Sequence, residues 1–89
     1  MLIDEATIAL EKLASEMGAR GFECRLSAPA GRAAYLAVRN PKAKMMTERV
    51  TARDAWFWWP WADKIGPTTE LNEAADKIAR VLAAPGGQG

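Results

Sequence analysis

The chain has no histidine, one cysteine and one tyrosine among its 89 residues. Each scarcity removes a class of chemistry. Without histidine the commonest general base and transition-metal ligand is missing. The single Cys24 can neither close an internal disulfide nor build a metal cluster. As a nucleophile it would lack the imidazole that usually activates a catalytic thiol. No glycine-rich phosphate loop, Walker motif or zinc-ligand spacing occurs. Asp4, Glu5 and Asp63 read as helix-end and loop charges rather than an acid/base pair, and Met45-Met46 as core or edge filler. No apolar run approaches the roughly 18–20 residues of a membrane span. The start, Met1-Leu2-Ile3-Asp4-Glu5, has no basic region ahead of an apolar stretch, so no signal peptide is read there. These absences predict a cytoplasmic protein that is not an enzyme, with no cofactor, no metal, no membrane contact and no small-molecule substrate.

What the chain does have is concentrated. All four tryptophans fall in Trp56-Phe57-Trp58-Trp59-Pro60-Trp61. A domain this small has room for few large side chains in its core. A strand sends neighbouring side chains to opposite faces, so four indoles in six positions cannot all enter one core. Charge is also segregated. Residues 1–19 carry four acids and one base, residues 20–53 eight bases and two acids, and residues 54–89 five acids and three bases. A basic middle between acidic ends fits either acidic helices compensating a basic sheet or an anion-binding surface.

Residues 4–17 have helical spacing, with Ile3, Ala6, Leu10, Leu13, Ala14 and Met17 on one side and Gly18 as the stop. Glu16 and Arg20, four apart, predict an ion pair if the last turn persists. Phe22–Ser27 and Ala34–Arg39 alternate like strands around the turn Ala28-Pro29-Ala30-Gly31-Arg32, and Cys24 falls on the core side between Phe22 and Leu26. Asn40-Pro41 breaks the pattern. Met46–Arg53 and Trp56–Trp59 read as a third and a fourth strand joined by the two-residue turn Asp54-Ala55. That turn sets Arg53 opposite Trp56, Ala52 opposite Phe57, Thr51 opposite Trp58 and Val50 opposite Trp59. Ile65-Gly66-Pro67 leads to a helix over about 70–84. It is capped by Thr69, buries Leu71, Ala74, Ala75, Ile78, Val81 and Leu82, and exposes the pairs Glu73–Lys77 and Asp76–Arg80. The expected fold is a two-layer α+β domain, α-β-β-β-β-α, over residues 1–84. An antiparallel sheet of three or four strands has both helices on one face, and 85–89 forms a disordered Gly-rich tail.

Two helices leave the other face of the sheet open. In this register it gathers Arg25, Tyr35, Arg39, Arg49, Arg53, Trp56 and Trp58. Tyr, Trp and Arg dominate protein–protein hot spots, which makes a protein partner or a homodimer the leading expectation. Rings and guanidinium groups also bind single-stranded nucleic acid, the alternative. A third reading is a solvated face held by cation–π contacts. Trp59 and Trp61 are expected to plug the rim of the core beneath the second helix, with their indole N–H groups on backbone carbonyls.

The segment Asp54–Pro67, with Trp56-Phe57-Trp58-Trp59-Pro60-Trp61 followed by Ile65-Gly66-Pro67, resembles a group of small actinobacterial proteins. The Ala-rich stretch Ala74-Ala75-Asp76-Lys77-Ile78-Ala79 and the step Val38-Arg39-Asn40-Pro41 extend the resemblance over nearly the whole chain. No biochemical activity is attached to that group, so the resemblance implies the architecture and a cytosolic bacterial setting. The element order is also similar to double-stranded RNA-binding domains, but Thr68-Thr69-Glu70 stands where those carry a lysine cluster. An acidic helix start repels phosphate. Small secretion-chaperone-like α/β folds, which dimerise and bind other proteins, are a looser analogy.

Overall fold

The computed structural model describes residues 5–42 and 47–82. Two helices and five strands follow in the order α1 (Glu5–Ala19), β1 (Glu23–Ser27), β2 (Tyr35–Arg39), β3 (Thr47–Arg53), β4 (Trp56–Trp58), β5 (Lys64–Pro67) and α2 (Leu71–Val81). The strands form one antiparallel meander in sequence order. This is the expected α+β layout with one strand more than the three or four anticipated. The expected positions Ile3, Asp4, Met45-Met46, the helix end at 83–84 and the 85–89 tail lie outside the described residues.

Alternation sorts the sheet into two faces. Leu36, Val38, Val50 and Phe57 are fully buried on one of them, in a single cluster with Leu10, Leu13 and Met17 of α1 and Ala74, Ala75 and Ile78 of α2. Both helices therefore cover the same face. α1 packs on β1, β2 and β3, and α2 packs on β5 and on α1. Small residues let α2 approach: Ala74 sits 3.6 Å from where a Cβ on Gly66 would lie.

The extra strand follows a tight turn. Ala62 N–H donates to the Trp59 carbonyl at 3.0 Å, and Trp59 N–H to that of Asp63 at 2.8 Å. The chain thus reverses directly into Lys64–Pro67. Gly66 and Pro67 disguise this segment as a loop, but among the described residues β5 pairs only with β4, and an edge strand tolerates proline.

Four other expectations are corrected. α1 runs through Gly18 and stops at Gly21, whose φ of +93° suits a residue without a side chain. Phe22 N–H reaches the Met17 carbonyl and Gly21 N–H that of Gly18, both at 3.0 Å, the paired bonds of a Schellman stop. α2 begins after Glu70 with no side-chain cap, so Thr69 does not cap it. Val81 is exposed, and the pairs Glu73–Lys77 and Asp76–Arg80 are not among the ion pairs of the described residues. Asp76 instead meets Arg20, which also holds Glu16 at 2.9 Å and so links the two helices.

Asn40, anticipated only as a break in the pattern, has a larger role. Its side chain is buried, donates to the Leu82 carbonyl at 2.7 Å and accepts from Lys42 N–H at 2.9 Å. It joins the end of β2 to the end of α2. Asn40→Ala strands both partners and should cost about 1–3 kcal/mol in urea unfolding. At Asp54-Ala55 both residues have positive φ, 56° and 64°, as a type I′ turn demands. Aspartate tolerates this conformation, whereas alanine adopts it only at a steric cost. Ala55→Gly should raise stability by about 1 kcal/mol, seen as a higher denaturant midpoint with unchanged slope.

Candidate interaction surface

The observed β3–β4 register is Thr51 opposite Trp58, Ala52 opposite Phe57 and Arg53 opposite Trp56. The ladder ends there: Trp59 lies beyond β4, and no Val50–Trp59 pair forms. Arg25, Tyr35, Arg39, Arg49, Arg53, Trp56 and Trp58 accordingly share the face away from the helices. They divide into three neighbourhoods across it.

On β3–β5, Arg53 Cζ lies 4.3 Å from the ring centre of Trp58, and Lys64 Nζ lies 4.6 Å from that of Trp56 and 5.6 Å from that of Trp58. The Trp58 indole N–H donates to the Arg53 carbonyl at 2.9 Å, which fixes the ring on the sheet. In the middle, Arg49 lies over Tyr35 at 4.7 Å, a diagonal neighbour across β2–β3. Towards β1, Arg39 donates two hydrogen bonds to its cross-strand partner Glu23. Arg25, Arg39, Glu23 and Thr47 border a shallow depression of about 430 Å³ whose floor includes the small Ala37.

Lys64 is the member that reasoning from the sequence missed. Once 64–67 is a strand, its pairing with Trp58 sets it on this face. Among the described residues the face then holds five cations, Arg25, Arg39, Arg49, Arg53 and Lys64, against one carboxylate, Glu23. Arg49 and Arg53 make no side-chain hydrogen bond among the described residues. A guanidinium stacked on a ring keeps its N–H edge free for carboxylate or phosphate oxygens.

Cys24 lies half-buried on the opposite face, paired with Val38, and burial pushes its thiol above the ordinary range. A thiol held protonated is a poor nucleophile. Among the described residues no helix is long and apolar enough to cross a membrane. Compared with family models, curated proteins and solved structures, the chain matches none.

Trp59 and Trp61 part company. Their rings stack at 5.1 Å and 8°, but Trp59 is 8% exposed and Trp61 52%. Trp61 is therefore a lid on Trp59 rather than a core plug. The expected bond from indole to backbone carbonyl is made by Trp58. Trp59→Ala should cost about 3–5 kcal/mol of stability. Trp61→Ala should cost about 1 kcal/mol or less, a contrast readable in parallel denaturant titrations.

Proposed function

We propose that this chain is a non-catalytic interaction protein that binds an acidic segment of a protein partner across its open sheet face. The observation carrying this reading is the cation–π ladder of Arg49 on Tyr35, Arg53 on Trp58 and Lys64 on Trp56. Aromatic stems supply apolar contact, and the stacked cations supply oriented donors for carboxylates. The excess of cations argues against two copies meeting face to face, because like charges would then oppose one another. The chain's lack of histidine, and the half-burial that pushes the Cys24 thiol upward, support a binding role rather than catalysis.

Single-stranded nucleic acid is the second reading, favoured by the same alternation of rings and cations. Its phosphates suit the arginines. Its bases, however, would have to displace cations that already lie over the rings.

Tryptophan emission should change saturably when the protein is titrated at low salt with a Glu/Asp-rich peptide. The affinity should fall as ionic strength rises. Trp56→Ala/Trp58→Ala should weaken binding at least about tenfold while circular dichroism stays native. A response to mixed-sequence single-stranded oligonucleotide alone, with steep salt dependence, would transfer the face to nucleic acid. Silence towards both ligands would remove the face from consideration as a charged-ligand site.

A further inference from the structure

β1 is an edge strand. It pairs only with β2, and among the described residues no other strand lies along its outer side. Its five residues contain neither proline nor a bulge, so they offer free backbone donors and acceptors to another strand. Phe22-Glu23-Cys24-Arg25-Leu26 is also complementary to itself when reversed: apolar, acid, cysteine, base, apolar. We propose that two copies of this chain join antiparallel along β1, with Cys24 on the two-fold axis, and extend the sheet to ten strands.

The register follows from side-chain parity. Paired residues share a face, so a register centred between two residues would oppose one copy's core side to the other's open side. Centring on Arg25 would set Arg25 against Arg25 of the second copy, like charges in direct opposition. Centring on Cys24 sets Glu23 against Arg25 twice on the open face. On the helix face it sets Phe22 against Leu26 twice, residues partly buried at the margin of the core. Glu23 already accepts from Arg39, so each acid would lie between two arginines. This junction uses the edge of the sheet and leaves the ladder on its open face available to a partner. It does not depend on what that partner is.

Sedimentation of the intact protein over a concentration series tests the proposal, with copper-phenanthroline oxidation as a second readout. A reversible dimer is expected. Because Cys24 is the only cysteine, any disulfide joins two chains. Oxidation should therefore trap the dimer with its circular dichroism unchanged, since opposed cysteines on paired strands fall within disulfide reach. Cys24→Ser should dimerise as the parent does and fail to cross-link. Arg25→Glu sets acid against acid at both contacts and should weaken the dimer about tenfold or more, with its native spectrum retained. Glu23→Arg/Arg25→Glu/Arg39→Glu restores opposite charges both across the axis and to β2, and should recover both dimer and cross-link. A chain monomeric at every concentration would overturn the proposal, leaving the edge bare or to a different chain. A dimer indifferent to Arg25→Glu and not trapped by oxidation would equally overturn it, by placing the interface elsewhere.

Discussion

The two residues Asp54 and Ala55 hold the structure to one choice. Side chains along a strand alternate, so a one-residue slip between β3 and β4 would turn Phe57 out to water and Trp56 and Trp58 into the core. A two-residue turn with both φ values positive matches the right-handed twist of its strands and permits one pairing. The core side of that pairing receives Phe57, and the open side receives both tryptophans. Alanine is a costly choice for the second position. The strained turn is also held from outside, because Thr68 N–H donates to the Ala55 carbonyl at 2.9 Å just before α2 begins. Turn, sheet face and helix entry are thereby one connected unit.

Period and turn length made much of this legible in the sequence. Leu10, Leu13 and Met17 declare a helix face by spacing, and Leu36 and Val38 declare a strand face by alternation. The seven surface residues follow once the turn is counted. What stayed hidden depends on tertiary context. Lys64–Pro67 has no alternating pattern of its own and becomes a strand because β4 needs a second neighbour. Gly18 reads as the stop by its place after the last apolar position, and only the bonds to the Met17 and Gly18 carbonyls move that stop to Gly21. Asp76 has a base four residues on, yet the guanidinium of Arg20, just past the end of α1, takes it. Asn40 looks like a turn residue, and its bond to Leu82 spans 42 positions that no local rule relates.

A sheet face carrying Trp56, Trp58 and Tyr35 would be a sticky apolar patch if the rings lay bare. The cations lying over them resolve this. Arginine and lysine cover apolar area with their stems while keeping their charge in water, so the empty face stays hydrated. The same arrangement sets what an approaching ligand meets. It meets the N–H edges of Arg49 and Arg53 before it meets a ring. Oxyanions bind those edges without disturbing the stack, whereas a nucleobase has to break it. Cation–π contacts at exposed sites are worth about 0.5–1 kcal/mol each, little for folding but enough to hold donors in place before a partner arrives.

A meander covered by helices on one side has two edge strands, and this one treats them differently. β5 is short and ends in Pro67, which has no N–H to offer a neighbouring strand. β1 carries its protection in side chains, Glu23 and Arg25, the device by which edge strands repel unwanted neighbours. Repulsion of that kind depends on what is opposite. Two like charges would oppose each other in the register centred between them, but an acid and a base two residues apart refuse the registers centred on either one and favour the register centred between them. Discrimination against wrong partners and selection of a right one then come from the same pair of residues. The apolar pair Phe22 and Leu26, placed symmetrically about Cys24, satisfies the helix side of that one register as the charges satisfy the other.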